Sequence, residues 1–312
     1  MFGLPLKSAD KIIACCLGEN SYSIVALQDN KKLLFNIFRE FDEKPEQMVR
    51  SFIEDVDRLK LVGSGCRVVL APGQYQLLLM DALDVPEDDM AKALRWRLKG
   101  LVEYPLNDIA LDVFVVPAHG VVGQRKKVFV AVTLLSALKK KLDMLEAAFL
   151  EVESVGIGEI ALRNLLALVP GLQGEPVIAI SLEKGLCQLQ ILHNNALYLV
   201  RELALNQKLI DENDPQAQNI LLEIQRSIDY CLSELKLPEP KHIVFTPSFY
   251  QATSLLQLLR DELSKDIILL NLADYLEMEP PLTLKEQQDC FYGIGGALTY
   301  TADEPLEPDE QA

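Results

Sequence analysis

The sequence predicts a two-lobed α/β fold, on three observations. A β-β-β-α pattern near the start returns in the second half, the segment between the copies has its own strand and helix order, and no stretch is apolar enough to cross a membrane. At 312 residues and 49% hydrophobic content, the chain has the material for about two cores.

The first copy opens with an apolar strand at Lys11–Leu17, a turn at Gly18–Asn20 and a second strand at Ser21–Gln28. A turn at Asp29-Asn30 leads to a third strand at Lys31–Phe38. The helix Pro45–Lys60 follows, with Met48, Phe52, Val56 and Leu59 on one face at helical spacing. The second copy reads strand Pro176–Leu182, turn Glu183–Gly185, strand Leu186–His193, turn Asn194-Asn195 and strand Ala196–Leu205. Its helix, Gln216–Leu235, lines up Ile220, Ile224, Ile228, Cys231 and Leu235. Asn and Gly in the turns suit tight antiparallel hairpins because they tolerate positive φ. Two similar lobes explain the repeat, and two unrelated meanders would give the same string.

Between the copies, strands at Arg67–Leu70 and Gln76–Leu83 flank an APG turn, and Pro86 opens the charged helix Glu87–Val102. A YPL segment, strand Ile109–Pro117, a polar loop, strand Lys127–Thr133 and helix Ser136–Phe149 complete an α+β module. The expected organisation is therefore 1–64 as the first part of lobe I and 65–150 as the inserted module. Residues 151–300 return to lobe I and form lobe II, and 301–312 are an acidic tail too polar to order. Lobe II finishes with strand Ile243–Phe245, helix Ser248–Leu263, strand Ile267–Leu270 and a closing helix Glu286–Tyr300. That last helix carries the Gly293–Gly296 cluster, read as close helix packing rather than ligand contact.

Composition excludes several function classes. A net charge of −16, only part of it in the tail, argues against nucleic-acid binding and against adsorption to anionic lipid through overall charge. The six cysteines lack CxxC or Cys/His spacing and read as buried reduced thiols, and three isolated histidines offer no metal site. The longest uncharged stretch, Gly185–Val200, is interrupted by Gln188, Gln190, His193, Asn194 and Asn195, so a cytoplasmic chain is expected.

Two stretches carry a resemblance. VVLAPGQYQLLLMDALDVPEDD (Val68–Asp89) with ALRWRLKGLVEYPLNDIALDVFVV (Ala93–Val116), and the helix ILLEIQRSIDYCLSEL (Ile220–Leu235), resemble the PilM family of type IV pilus assembly proteins. The match runs from about Ile12 to Tyr300 and is closest to the MshI branch, which serves the mannose-sensitive haemagglutinin (MSHA) pilus. The resemblance implies an actin/Hsp70-like (ribonuclease H-like) fold, with 65–150 as the extra subdomain that PilM shares with the cell-division protein FtsA. It also implies a scaffold role at the inner membrane, without direct membrane insertion. The partner would be the cytoplasmic N-terminal peptide of a PilN- or MshJ-like membrane protein, alongside other pilus platform components. A groove between lobe I and the module would take that peptide, lined by Leu77 and Leu79 with Trp96 as a candidate anchor. For Trp96, between Arg95 and Arg97, an exposed anchor and half-buried packing are both open readings.

The same resemblance locates a nucleotide site and its losses. Such folds place an Asp at the end of a strand in each of two hairpins to organise magnesium. Here the first hairpin, ACCLGENSYS, has Cys16 at the Asp position and keeps Gly18, Asn20 and Ser21. The second, AISLEKGL, has Ser181 at the Asp position, then Glu183 and Lys184. The third element reads Thr246-Pro247-Ser248 instead of a Gly-Gly turn. No catalytic residue or metal ligand is assigned and no cofactor is expected. Weak Mg-ATP binding, in an actin-like protein regulated by its nucleotide state, is the alternative. Asp29, Asp42 and Glu54 read as surface acids.

Overall fold

The computed structural model describes residues 11–42, 45–117, 126–183, 185–205, 215–248 and 253–298. Three sheets organise the chain. The first contains β1 (Lys11–Leu17), β2 (Ser21–Gln28), β3 (Lys32–Glu40), β4 (Gly65–Leu70) and β8 (Glu151–Ile157), in the order β3-β2-β1-β4-β8. The second contains β9 (Val177–Glu183), β10 (Leu186–His193), β11 (Ala196–Ala204), β12 (His242–Phe245) and β13 (Asp266–Leu269), in the order β11-β10-β9-β12-β13. In both, three antiparallel strands are extended by two parallel ones.

The equivalence reaches single residues. The outer hairpins turn through Asp29-Asn30 and Asn194-Asn195, and all four residues have φ between 46° and 57°. Both second strands also carry a register shift at the same place, Ala26/Leu27 in β2 and Ile191/Leu192 in β10. Two unrelated meanders would not share a bulge at matching positions. The repeat read from the sequence is thus a structural duplication.

The third sheet, β5 (Gln76–Asp81), β7 (Lys127–Leu134) and β6 (Ile109–Val116) in the order β5-β7-β6, is the insertion. It is smaller than the expected 65–150. β4 pairs in parallel with β1 and β8 inside the first sheet. Helix α3 (Leu135–Ala147) places Met144 and Leu145 in one core with Phe52 and Val56 of helix α1 (Pro45–Arg58). A strand and a helix at the ends of the expected module belong to lobe I because their apolar faces complete its sheet and core. What remains is covered on one side by α2 (Glu87–Arg95) and a 3-10 turn at Trp96–Leu98, over Met90, Leu94, Leu98, Val128 and Val130.

Two elements absent from the sequence reading, β8 and α4 (Gly158–Leu166), carry the chain from the first sheet to the second. The described part of the helix expected at Ser248–Leu263 is α6, Thr253–Glu262; Ser248 lies in a 3-10 turn, and 249–252 are outside the described residues. Helix α5 spans Pro215–Ser233, and the closing helix α7 spans Leu284–Ala297 behind a Thr283/Glu286 capping box. The tail 301–312 and the polar loop at 118–125 lie outside the described residues. So do Lys184 and the side chain of Glu183.

The glycines of α7 have steric reasons. A methyl on Gly293 would press on Ser23 and Val25 of β2, one on Gly296 on Val69 of β4, and one on Gly295 would overlap the backbone of Ala161 in α4. The cluster lets α7 lie directly on the first sheet and on α4.

Candidate functional site

The first hairpin is closed on itself. Gly18 N–H donates to the Ser21 carbonyl at 2.9 Å, and Phe41 N–H donates to the Asn20 carbonyl at 2.8 Å. Cys16, the last residue but one of β1, is half-buried, opposite Ser23 and beside Val69. The ammonium of Lys141, from α3, donates to the Gly18 carbonyl. Burial lowers the pKa of Lys141, an effect that nearby Cys16 and Glu19 partly offset.

The second hairpin is spoken for in another way. Ser181 lies opposite Gln188 and is buried, with its hydroxyl lacking a partner among the described residues. Leu182 N–H, at the strand end, donates to the Ser248 hydroxyl at 3.1 Å. That hydroxyl is 2.8 Å from Thr246 Oγ1, and Thr246 N–H donates to the Ile180 carbonyl at 3.0 Å. The Thr246-Pro247-Ser248 segment therefore caps the second hairpin. Asp29, Asp42 and Glu54 are all exposed. A half-buried thiol, Cys16, and a buried alcohol, Ser181, stand at the two positions that the resemblance aligns with magnesium-organising carboxylates. No His/Cys/Asp/Glu cluster suited to a metal occurs among the described residues.

The three groove candidates do not share a face. Side chains alternate along β5, so Leu78 and Met80 point into the core beneath α2 while Leu77 and Leu79 point the other way. Leu77 is half-buried against two cores, one containing Tyr75 and Ile157. Leu79 is 36% exposed, and β5 pairs only with β7 among the described residues. Trp96 is 76% exposed on the far side of the module, since Leu94 and Leu98 take the inward positions of that turn. The open choice for Trp96 falls to exposure, and its expected place in one groove with Leu77 and Leu79 does not hold.

A buried polar network escaped the sequence reading. Glu159, in the first turn of α4, is 1% exposed and accepts from the Tyr75 hydroxyl and from Gln188 Nε2 at 2.8 Å. Tyr75 also accepts from Gly158 N–H at 3.1 Å, and Gln188 is held by Gln190 at 2.7 Å and by Glu202 at 3.2 Å. Burial raises the pKa of Glu159 although Tyr75 and Gln188 oppose it, and burial raises Tyr75 further with Glu159 beside it. The available signal was an acid among the apolar residues Ile157, Ile160, Ala161 and Leu162.

Comparison with known proteins places this geometry. The fold matches a solved structure titled "PilM-PilN type IV pilus biogenesis complex" with a TM-score of 0.70, at 17% identity over 93% of this chain and 98% of that one. It also matches a Bacteroides thetaiotaomicron protein with an actin-like ATPase fold, TM-score 0.54, at 12% identity over 91% of this chain and 96% of that one. The chain has the actin-like ATPase fold. No protein-family profile and no curated protein sequence matches it. Within this actin-like fold, the two duplicated sheets are the lobes and β5-β7-β6 is an insertion into the first. No helix among the described residues is long and apolar enough to cross a membrane.

Proposed function

We propose that this chain is a scaffold of a type IV pilus assembly platform, one that binds the cytoplasmic N-terminal peptide of a PilN-like inner-membrane protein instead of turning over nucleotide. The observation that carries this reading is the correspondence, over nearly the whole length of both chains, with the PilM-PilN complex structure. The YPL and RSIDY segments of the sequence support the same family. The finer assignment, an MSHA-type pilus with an MshJ-like partner, rests on those sequence segments alone.

Supporting the non-catalytic half of the proposal, Cys16 and Ser181 stand near the ends of β1 and β9 in place of acids, and two backbone N–H groups that a phosphate would use, those of Gly18 and Leu182, are already bonded within the protein. One feature favours the second reading, a nucleotide-responsive actin-like protein: Gly18 keeps the hairpin tight and Lys141 brings a cation to it.

Co-expression with the PilN-like partner tests the scaffold reading. The chain should move to the membrane fraction with the intact partner and stay in the supernatant when only the partner's cytoplasmic residues are deleted. Identical fractionation in both cases would remove the proposal's support.

A further inference from the structure

The outer turn of the inserted module combines a single tryptophan with a run of bases set between the acids Glu87–Asp89 and Glu103. From Met90 to Val102 there is no acid, while Lys92, Arg95, Arg97 and Lys99 are all basic, in a chain with 46 acids and 30 bases. The structure explains what points where. Leu94 and Leu98 are fully buried and Arg95 Nη1 donates to the carbonyls of Leu106 and Ile109 at 3.1 and 3.2 Å, which pins the turn from below. Trp96 sits about 200° around the helical turn from Leu94 and faces outward. Arg97 and Lys99 are exposed beside it, Lys92 is exposed and paired with Asp89 at 3.1 Å, and Leu101 is 56% exposed.

We propose that this turn is a peripheral contact for an anionic lipid surface. Exposed Trp and Leu side chains among bases on a short helical element are the chemistry of the bilayer interface, where an indole ring rests among headgroups and bases meet lipid phosphates. The turn is backed by buried Leu94 and Leu98 and by the Arg95 bonds, so it presents Trp96 in a fixed direction. The acidic balance of the whole chain opposes adsorption, but at physiological salt charges are screened beyond about 8 Å, so the turn acts on its local charge. The acidic remainder then orients the molecule with this turn toward the surface. This inference is independent of the pilus reading, and its test contains no partner protein.

Trp96 is its own reporter, being the only tryptophan. The full chain is titrated with phosphatidylcholine vesicles with and without phosphatidylglycerol while tryptophan emission is followed. The emission should shift to the blue with the anionic vesicles only, and the shift should diminish as salt is raised. The exposed double variant Arg97→Glu/Lys99→Glu should keep the melting temperature and lose at least roughly 30-fold in vesicle affinity. No shift with anionic vesicles, or an equal shift with neutral ones, overturns the proposal. A shift produced by polyglutamate and not by vesicles also overturns it, and marks the turn as a protein-docking surface.

Discussion

The hydroxyl of Tyr75 donates to the carboxylate of Glu159, and this one bond ties the junction between the first lobe and the inserted module to the helix that leads into the second lobe. Gln188 of β10 bonds the same carboxylate from the second lobe at 2.8 Å. All three parts of the molecule meet on one buried acid, so a rotation of one lobe against the other has to break or re-form its bonds.

Burial raises the pKa of Glu159, which gives its contribution to stability a definite pH dependence. The folded state holds the proton more tightly than the unfolded chain, so stability falls as pH rises from the ordinary glutamate value of about 4.3 toward the raised one. Glu159→Gln removes this slope, which reaches at most about 1.4 kcal/mol per pH unit. Urea unfolding of both proteins across that range should show the variant gaining on the parent as pH increases. A constant difference would mean that Glu159 titrates normally.

Asp55 has the opposite sign. It is 2% exposed, and although burial opposes ionisation, bonds from Arg39 at 2.7 and 2.9 Å, Tyr22 at 2.8 Å and Arg58 at 2.6 Å hold its pKa down to about 2. Its stabilisation is present above the unfolded aspartate value of about 3.9 and is lost as pH falls toward 2. Asp55→Ala should cost about 1–3 kcal/mol at neutral pH, because the buried Tyr22 hydroxyl loses its acceptor while the two guanidinium groups regain water. The loss should shrink in acid. Equal destabilisation at pH 7 and pH 3 would contradict this account.

Gly295→Ala tests how α7 is seated. The added methyl would overlap the backbone of Ala161, which cannot rotate away as a side chain can. Separation of α7 from α4 should reduce stability by about 1–3 kcal/mol in urea unfolding. The outcome that would defeat this is a stabilised variant, as expected for an ordinary helical Gly→Ala exchange.

These residues show what a sequence can and cannot reveal. The hairpins were legible because Asp29-Asn30 and Asn194-Asn195 announce their turns and the flanking strands are continuous and apolar. β8 was not legible: Glu151–Ile157 alternates acids with Val152 and Val155 on an exposed sheet edge and lacks a strand's apolar signature. The module boundary was misplaced because pairing partners such as β1 and β4 lie some fifty residues apart, and local patterning carries no record of them. In the candidate site, the identities of Cys16 and Ser181 could be read directly. Lys141 and Ser248 reach the two hairpins only through the tertiary fold.

The nucleotide expectation is tested by heat. A ligand stabilises a protein only when its concentration exceeds Kd, so millimolar Mg-ATP should leave the melting temperature essentially unchanged. Micromolar binding by calorimetry would move the nucleotide-responsive reading ahead of the scaffold reading.

The docking face of the partner peptide is the last and sharpest expectation. Among the described residues β5 is an edge strand of its sheet, open to an added strand, and Leu79 is its exposed apolar side chain on the face away from α2. Main-chain pairing at such an edge supplies affinity while alternate side chains supply specificity. Leu79→Asp should therefore weaken binding of the partner's N-terminal peptide by about tenfold, a loss of roughly 1.4 kcal/mol, with folding unaffected. Leu77→Asp places a charge against two cores and should destabilise the protein itself. Trp96→Ala, on the opposite side of the module, should leave peptide affinity unchanged. Fluorescence anisotropy with a labelled peptide separates these cases. If Trp96→Ala abolishes binding and Leu79→Asp does not, the peptide lies across α2, and β5 is only the structural edge of the module.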